Sequence, residues 1–475
     1  MIKIGLDFGT TNSSISVSDG KKVEVVEIDP AASDPRIIRS MLYFERRKQA
    51  YGPKVTPEKI AAQAFMKDDI QYEGEQTYLI GQEAVDRYLT ENKNRQPGVK
   101  RLIFTGRWRS PGTGVIYTAS QAHPTEAMRE YYEEIDYGTG RLLQALKSSL
   151  RTHFQGTAIF GRYYKVEELI GLFVKEIKLR AEKQINAPID NIMAGRPVYF
   201  SEVPNIDARA QKRLEYALHE VGFKRIDFQL EPVAAAKQFL TQAGKGKTIL
   251  VFDFGGGTLD TAIVRMKEKP EVLSTNGVYI GGDLLNADIM QAKLWNYFGA
   301  FATWGDNRYP MPLHLFEALG SWYSIPMLNN PSTMELLGKV GYKNSDPQAL
   351  SRFIYLIKAG IGFEVYEAIE RAKKELSAMD ESRIAYQDGP ISLDLKISRT
   401  EFERTIAPRI KEIRETVLQT LEQARLEPLQ VDLVVQTGGS SLIPAVERML
   451  EEIFGKEKIT LFETFTSIAA GLALE

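Results

Sequence analysis

The chain of 475 residues contains no cysteine and only four histidines. The absence of cysteine excludes disulfides, thiol nucleophiles and cysteine-ligated zinc. The histidines are His123, His153, His219 and His314, and no two of them have the spacing at which a helix presents metal ligands. The sequence therefore does not support chemistry based on sulfur or on a histidine-bound metal.

The sequence also lacks a long apolar run and an excess of charge of one sign. No run is long enough to span a bilayer, and the N-terminus enters a strand pattern at once, which leaves no room for a signal peptide. The 60 basic and 62 acidic residues are interleaved along the chain, so no surface for a polyanion is indicated. We therefore expect a cytoplasmic protein that binds neither nucleic acid nor a membrane. The length predicts at least two lobes.

Two segments of the chain repeat each other. Residues 4–17 and residues 250–264 each contain an apolar strand, the triplet Asp-Phe-Gly, a turn rich in glycine and threonine, and a second strand with β-branched alternation. The aspartates of the triplets are Asp7 and Asp253, 246 positions apart. One hairpin of this kind is common, but two around the same triplet predict two related lobes.

The two turns have the residue types that a phosphate-binding loop requires. Glycines adopt backbone angles closed to other residues, so their N–H groups can converge on a phosphate, and threonines add hydroxyl donors. The predicted residues are Gly9, Thr10, Thr11, Gly255, Gly256, Gly257 and Thr258. A carboxylate beside phosphate needs a cation between them, so Asp7 and Asp253 are predicted to organise Mg²⁺ through water, with Asp260 extending that shell. The competing interpretation is two ordinary hairpin turns.

A third segment with these properties lies near the C-terminus. A buried strand over 433–437 is followed by Gly438 and Gly439 and by a helix predicted over 445–454. The glycines let a ligand approach the backbone closely. Ser440 or Ser441 can cap the helix, whose N-terminus favours an anion. By itself this is a generic strand-to-helix turn.

Three weaker signals complete the set. Residues 364–377 predict an amphipathic helix, whose polar face carries Glu370, Lys373, Lys374 and Ser377. Such a face is usually only solvated. Glu231 stands just outside a helix that begins at Pro232, and Lys100 ends a stretch rich in glycine and proline. Neither residue is distinguished from the other charged residues by its local pattern.

Taken in order, these segments resemble the nucleotide-binding domain of the DnaK (seventy-kilodalton heat-shock) chaperone family, in the actin and sugar-kinase superfamily. Residues 195–200 and 228–233 look most like the short YegD-type branch. The resemblance implies an α/β fold of the actin-like (ribonuclease H-like) ATPase class, with two duplicated lobes that each carry an inserted outer subdomain. The expected division is 1–243 (core 1–32 and 141–243, outer insert 33–140) and 244–475 (core 244–281 and 385–475, outer insert 282–384).

The resemblance implies a slow ATPase that holds ATP or ADP with Mg²⁺ between the lobes, and whose nucleotide state controls lobe closure and the binding of a protein client or co-chaperone. The implied catalytic residues are Lys100, Glu231, Asp253 and Thr258. Lys100 would contact the γ-phosphate and the attacking water, and Glu231 would help to position that water. The implied cofactor-binding residues outside the two glycine turns are Asn12, Gly282, Glu370, Lys373, Lys374, Ser377, Gly438, Gly439, Ser440 and Ser441.

The sequence departs from the family pattern in several places. Leu442 stands where the family usually has an arginine, and Lys374 replaces a common arginine, which stacks on adenine better than lysine does. The family's usual acidic residue is missing near 465–467. The sequence continues to Glu475 without the apolar linker and β-rich peptide-binding domain of the family, so we expect the client-holding part to be absent.

Two other functions and one structural question stay open at the level of sequence. A small-molecule kinase on the same fold would need a carboxylate base facing an acceptor hydroxyl, and a filament-forming cytoskeletal protein would show ATP-dependent sedimentation. Residues 295–326 are dense in aromatic side chains. They predict the core of an enlarged outer subdomain more readily than a protein-contact surface.

Overall fold

The computed structural model describes residues 2–46, 49–50, 71–72, 75–91, 99–110, 116–118, 128–136, 139–201, 203–243, 246–267, 270–461 and 466–474. Only the backbone is described for residues 49–50, 71–72, 99–109, 116–118, 128–136 and 240–243. We call residues 1–243 the first lobe and residues 244–475 the second lobe, following the boundary that the sequence predicts; that boundary remains a prediction.

The first lobe combines a mixed sheet with helices and smaller sheets. Its strands are β1 Lys3–Phe8, β2 Asn12–Ser18, β3 Val23–Val25, β4 Ile38–Arg39, β5 Met41–Phe44, β6 Gln49–Ala50, β7 Gln71–Tyr72, β8 Tyr78–Ile80, β9 Val99–Arg109, β10 Ile116–Thr118, β11 Met128–Asp136, β12 Arg141–Gln144, β13 Gly156–Ile159, β14 Arg162–Lys165, β15 Asn191–Arg196 and β16 Arg225–Leu230. Its helices are α1 Gly81–Glu91, α2 Leu146–Ser149, α3 Val166–Ile185, α4 Pro204–Glu220 and α5 Glu231–Ala243.

The second lobe contains a second mixed sheet and a larger helical part. Its strands are β17 Thr248–Phe254, β18 Leu259–Arg265, β19 Glu271–Val278, β20 Thr303–Trp304, β21 Tyr309–Pro310, β22 Glu381–Asp388, β23 Ile391–Ser398, β24 Leu433–Thr437 and β25 Ile459–Leu461. Its α-helices are α6 Gly282–Ile289, α7 Leu313–Glu317, α8 Pro331–Val340, α9 Pro347–Ala359, α10 Gly362–Ala378, α11 Arg399–Ala424, α12 Pro444–Phe454 and α13 Ser467–Leu472. A π-helical turn spans Met290–Leu294, and 3₁₀ turns span Ala318–Gly320, Ile325–Leu328, Pro428–Gln430, Gly439–Leu442 and Lys456–Lys458.

The two main sheets have the same topology. The first has the order β16-β15-β1-β2-β3, with β4 also pairing with β2, and the second has the order β19-β18-β17-β24-β25. In each, a central strand pairs antiparallel with the strand that follows it and parallel with a strand from later in the lobe. Every residue of β17 is buried, as expected for a central strand covered on both faces.

The register of the two hairpins repeats as well. Asp7 pairs with Ser14 in the first hairpin, and Asp253 pairs with Asp260 in the second. Both pairs are separated by the same 246 positions that relate the aspartates in the sequence. The predicted duplication and the mixed α/β fold are therefore confirmed, and the predicted helices at 445–454 and 364–377 correspond to α12 and α10.

Helices α5 and α13 join the two sheets. Side chains of both helices form one buried cluster with residues of β17, β18 and β24. The packing is close, because a Cβ on Gly471 of α13 would lie 1.7 Å from the carbonyl oxygen of Ala234 in α5, and one on Gly5 of β1 would lie 2.4 Å from that of Ala469. This contact brings the turns of the two hairpins face to face.

The outer parts of the two lobes share a hydrophobic core. Met41, Tyr43 and Tyr88 of the first lobe belong to the same buried cluster as Phe316 and Trp322 of the second. The ring of Tyr88 lies 6.1 Å from that of Trp322, and the Trp322 indole N–H donates to the Gln144 side chain. An ion pair of 2.8 Å between Arg39 and Glu367 also joins the lobes.

The aromatic segment 295–326 belongs mainly to this core. Phe298, Phe316 and Trp322 are buried, as the preferred sequence interpretation predicts. Phe301, Tyr309, Leu313 and Tyr323 are exposed, so the outer part of the segment could still form a contact surface. Among the helices of the described residues, none combines the length and apolar character needed to cross a membrane.

Candidate functional site

A cavity of about 130 Å³ lies between the lobes, where the turns of β1–β2 and β17–β18 face each other. Most of the sequence-predicted site residues line it: Asp7, Gly9, Thr10, Thr11, Asn12, Glu231, Asp253, Gly255, Gly256, Gly257, Thr258, Gly438 and Gly439. Residues from four separate parts of the sequence therefore meet in one place.

The two glycine turns touch each other across the cavity. A Cβ on Gly256 would lie 2.0 Å from Thr11 Oγ1, and one on Gly257 would lie 3.0 Å from Thr10 Oγ1. Gly438 has a positive φ of 79°, and a Cβ there would lie 2.3 Å from the Phe254 carbonyl oxygen, so any side chain would be strained as well as crowded. Glycine at these positions leaves backbone and hydroxyl groups exposed to the cavity.

One hydroxyl of the first turn lacks a partner. Thr11 Oγ1 is buried and makes no hydrogen bond within the described part of the chain. Buried polar atoms of folded proteins are rarely left unsatisfied, and an exception points to a water, ion or ligand. Thr11 lines the cavity, so its hydroxyl is available to a ligand there.

A short, buried ion pair in the cavity involves Lys147, which the sequence analysis missed. Its Nζ lies 2.5 Å from Glu231 Oε1, and the two side chains are exposed over only 9% and 7% of their surface. Lys147 stands in the short helix α2, which follows Ala145 in the left-handed region at φ 55°. Glu231 is the first residue of α5, where the positive end of the helix dipole favours a carboxylate.

Carboxylates crowd around this lysine and perturb one another. Burial and the charge of Glu231 raise the pKa of Asp7 to about 7, and burial and Glu231 raise that of Asp260 to about 6. Burial and the charges of Glu231, Asp260 and Asp7 raise the pKa of Asp253 well above its usual value. Burial alone would lower the pKa of Lys147, but the charges of Glu231 and Asp7 outweigh it and raise that pKa. The cavity therefore holds more carboxyl groups than Lys147 can keep ionised.

The residues predicted to surround the adenosine lie beside the cavity rather than in its lining. Lys373 is buried, pairs with Glu370 at 2.6 Å and donates to the carbonyl oxygen of Gly282 at 3.0 Å. Asn286 Nδ2 donates to Glu370 at 2.8 Å. Burial acts to raise the pKa of Glu370, but the charges of Lys373 and Lys374 hold it at about 2. Glu370 and Lys373 thus form a fixed ion pair behind the second glycine turn.

The other residues on this side keep more freedom. The Lys374 side chain is exposed over 73% of its surface, Ser377 is partly buried, and Leu442 is exposed over 40%. These side chains can therefore reach a bound molecule from solvent. Their assignment to the adenosine remains a prediction.

The prediction that Ser440 or Ser441 caps helix α12 is wrong. The helix is preceded by Ile443, and no side chain caps it. Both serines lie in a 3₁₀ turn, where Ser440 Oγ donates to the Gly255 carbonyl at 2.8 Å and Ser441 Oγ donates to the Gly438 carbonyl at 2.7 Å. The Ser440 hydroxyl therefore ties this turn to the second glycine turn, whereas the Ser441 hydroxyl bonds within the diglycine turn itself.

Lys100, the sequence-based candidate for the catalytic lysine, lies outside the residues whose side chains are described. Its backbone belongs to β9, which pairs with β10 and β11. Lys147 could have been considered from the sequence, because it follows closely on residue 141, where the core of the first lobe was expected to resume. Its motif, Leu-Lys-Ser-Ser-Leu, contains no glycine or other residue that marks a ligand site.

Sequence reasoning also missed the aromatic and basic rim of the cavity. Besides Lys147, the lining residues that were not predicted are Ser148, Arg151, Pro197, Tyr199, Phe200, Tyr279 and Ile468. Among the described residues, no group of three or more histidine, cysteine, aspartate or glutamate side chains is arranged to hold a metal ion. A cation in this cavity would therefore need ligands from a bound molecule or from water in addition to any carboxylate.

Comparison with known proteins points to one family. The family model described as Hsp70 protein matches residues 143–298 and 362–475, which is more than half of the chain and includes both Lys147 and Glu231. Residues 1–142, with Lys100, and the segment 299–361 lie outside that match.

Three curated relatives illustrate the similarity. The chaperone protein DnaK of Thermus thermophilus is 25% identical over 99% of this chain and 60% of its own length. The chaperone protein DnaK of Prochlorococcus marinus is 24% identical, with 99% and 58% covered, and heat shock protein hsp-6 of Caenorhabditis elegans is 24% identical, with 99% and 56% covered. The chain thus spans less than two thirds of the length of these relatives, and the YegD-type branch stays a prediction. On the match to the family model, the chain belongs to the Hsp70 family.

Proposed function

We propose that this chain binds ATP with Mg²⁺ in the cavity between its lobes and slowly hydrolyses it, as a chaperone-type ATPase whose nucleotide state controls lobe closure and the binding of a protein partner. The observation that carries the proposal is that both glycine turns and the Lys147–Glu231 pair line one cavity. Phosphoryl transfer needs mainly positioning and charge neutralisation, which are the properties of this set of groups.

Each part of the cavity has a role in this proposal. The N–H groups of the glycine turns and the hydroxyls of Thr11 and Thr258 donate to the phosphates. Lys147 supplies a fixed positive charge for the terminal phosphate, which is worth most in a partly dehydrated site. Glu231, oriented by Lys147 at 2.5 Å, accepts a hydrogen bond from the attacking water and so positions it.

The carboxylates fit a magnesium ion. Asp7 and Asp253 line the cavity, and crowding with other carboxylates raises the pKa of both, so a cation would relieve their repulsion. Mg²⁺ is usually held by one or two carboxylates together with phosphates and water. Bound there, it would neutralise charge on the phosphates.

Water is favoured over a small-molecule acceptor. The carboxylates that line the cavity are Asp7, Glu231 and Asp253, and the metal and the water occupy all three in this proposal. Among the described residues, none of these carboxylates is left as a base for an acceptor hydroxyl, so the small-molecule kinase on the same fold is the weaker alternative. The names of the two DnaK relatives include the word chaperone, which supports a protein client or co-chaperone as partner.

The test compares the two candidate lysines. Wild type, Lys147→Met and Lys100→Met are titrated with Mg-ATP and Mg-ADP by calorimetry and then followed through single-turnover hydrolysis. We expect wild type to bind both nucleotides and to turn over slowly. Lys147→Met should still bind but lose about 100-fold or more in rate, as expected for a group that stabilises transition-state charge.

Lys100→Met serves as the matched control, and its rate should stay within about threefold of wild type if Lys147 supplies this charge. The opposite pattern would return the catalytic role to Lys100. Absence of nucleotide binding by folded wild type would refute the proposal, and turnover that rises on adding a sugar or acid acceptor would favour the kinase.

A further inference from the structure

Arg151 is the second basic side chain that lines the cavity. Of the described residues in the lining, Lys147 and Arg151 are basic, and Asp7, Glu231 and Asp253 are acidic. Lys147 is already paired with Glu231. Arg151 is therefore the cation of this cavity that is not committed to a carboxylate.

The guanidinium of Arg151 instead contacts the opposite lobe. Its Cζ lies 3.6 Å from the centroid of the Tyr279 ring, within the range of a cation–π contact. No hydrogen bond or ion pair joins this guanidinium to another described side chain. A guanidinium has five donors, so a ligand in the cavity would find all of them available.

The backbone that carries Arg151 is held in place. Arg213 of α4 is nearly buried, pairs with Glu167 and donates to the carbonyl oxygens of Ser149 at 3.4 Å and Leu150 at 3.2 Å. These bonds fix the end of α2, one turn after Lys147. Movement is therefore confined to the Arg151 side chain, whose length allows its head to change partners without disturbing Lys147.

Tyr279 is tied to the second glycine turn. It lies just before the Gly281-Gly282 turn, where the N–H of Gly282 donates to the Gly255 carbonyl at 3.1 Å and the N–H of Asp283 donates to the Gly256 carbonyl at 2.9 Å. A contact between Arg151 and Tyr279 thus joins the segment that follows the lysine-bearing helix α2 in one lobe to the phosphate turn of the other.

We propose that Arg151 senses the terminal phosphate. With ADP or no nucleotide it stacks on Tyr279 and joins the lobes at the mouth of the cavity; with ATP it releases the ring and donates to the terminal phosphate. A bidentate hydrogen bond between guanidinium and phosphate is stronger than a single cation–π contact, so the phosphate wins when it is present. The proposal rests on the proposed function and names how that site distinguishes its two nucleotides.

The proposal therefore predicts a difference in binding affinity between the two nucleotides rather than a general change in affinity. A residue that contacts only the terminal phosphate changes the affinity for the triphosphate and leaves that for the diphosphate nearly unchanged. Because the same side chain bridges the lobes in one state only, the nucleotide also shifts the equilibrium between lobe arrangements. A purely structural contact with Tyr279 would affect both nucleotides alike.

The test uses the full chain and four variants, Arg151→Met, Arg151→Lys, Tyr279→Leu and Arg162→Met. Arg162 is the matched control, because it also stacks on a tyrosine, Tyr164 at 4.5 Å, but does not line the cavity. Each protein is titrated with Mg-ADP and with the Mg complex of β,γ-imido-ATP, which is not hydrolysed. Thermal unfolding confirms that each variant is folded.

Arg151→Met should weaken binding of the triphosphate analogue about tenfold or more and that of ADP by less than about threefold, because a charge-assisted hydrogen bond is lost in one complex only. Arg151→Lys should recover part of the loss, since it keeps the charge without the planar fork. Tyr279→Leu should keep or increase affinity for the analogue, because the competing contact is gone. Arg162→Met should change neither.

Equal losses for both nucleotides, or a Tyr279→Leu variant that loses as much triphosphate affinity as Arg151→Met, would overturn the sensor. So would an Arg151→Met variant that binds both nucleotides like wild type, and in those cases the proposed function survives. Wild type that binds neither nucleotide overturns the proposed function and this inference together.

Discussion

Replacing Lys147 by methionine should destabilise the nucleotide-free protein more than replacing its partner Glu231 by glutamine. Methionine keeps the length of the side chain but removes the charge that faces Glu231 and Asp7. Both members of the pair are nearly buried, and removing one partner of a buried ion pair typically costs about 3–5 kcal/mol. In Glu231→Gln the lysine keeps Asp7 as a neighbour, so we expect only the loss of a charged hydrogen bond, about 1.5–3 kcal/mol.

The pH dependence follows from the raised carboxyl pKa values. Asp7 has a pKa of about 7 and Asp260 of about 6 in the folded protein, both above the value of 3.8 for an ordinary aspartate. Over that range the folded state binds more protons than the unfolded state, so the stability contributed by these groups falls as pH rises from about 4 towards about 7. Without Lys147 the ionisation of these carboxyls costs more. The loss of unfolding free energy in Lys147→Met should therefore be larger at about pH 8 than at about pH 5.5.

The assay is equilibrium unfolding in urea without nucleotide or Mg²⁺, at both pH values, for wild type, each single variant and the double variant. The double variant removes one charge of each sign, so it should be less destabilised than the sum of the single variants. The reasoning would be refuted if Lys147→Met lost no more stability than Glu231→Gln, or if its deficit did not grow with pH. Either result would mean that solvent screens the cavity despite its burial.

Three further predictions concern other parts of the chain. Gly256→Ala should cost about 1–3 kcal/mol in urea unfolding and weaken nucleotide binding, because its Cβ meets Thr11, whereas Gly338→Ala in helix α8, with open space around it, should be neutral or stabilising by up to about 1 kcal/mol. Trp322→Ala should cost about 3–5 kcal/mol in urea unfolding because Trp322 is buried between the outer parts of the lobes. Trp304→Ala should cost clearly less, because Trp304 is only partly buried and packs on Tyr309 within its own lobe. Leu442→Arg should tighten calorimetric ATP binding about twofold to thirtyfold by stacking a guanidinium on the base.

Each of these has an outcome that would contradict it. Equal effects of alanine at Gly256 and Gly338 would mean that the glycine turns yield to a side chain. A small loss of unfolding free energy in Trp322→Ala would mean that the outer cluster contributes little to holding the lobes together. Unchanged ATP affinity in Leu442→Arg would place the base elsewhere.

The duplication and the glycine turns could be predicted because they depend on local chemistry. A hairpin and its register are specified within about fifteen residues by a strand, the triplet Asp-Phe-Gly and a turn of glycine and threonine. The repeat of Asp7 and Asp253 at 246 positions provides the same signal a second time. The helix that carries Glu370 is likewise encoded by its own periodicity. In these cases the neighbours that decide the structure are neighbours in the chain.

The tertiary structure alone decided the contacts between segments that lie far apart in the chain. Lys147 and Glu231 are 84 positions apart, and nothing in either local pattern shows that a buried pair forms. Ser440 was predicted as a possible helix cap, but in the folded chain its hydroxyl donates to the Gly255 carbonyl, 185 positions away. The contact of Arg151 with Tyr279 across the cavity has the same origin. Local patterns determine the hairpins, helices and phosphate turns. The partners of buried charges and hydroxyls depend instead on which groups the packed lobes bring within reach. The physical reason is that desolvation makes an unpaired charge costly only once the chain has folded.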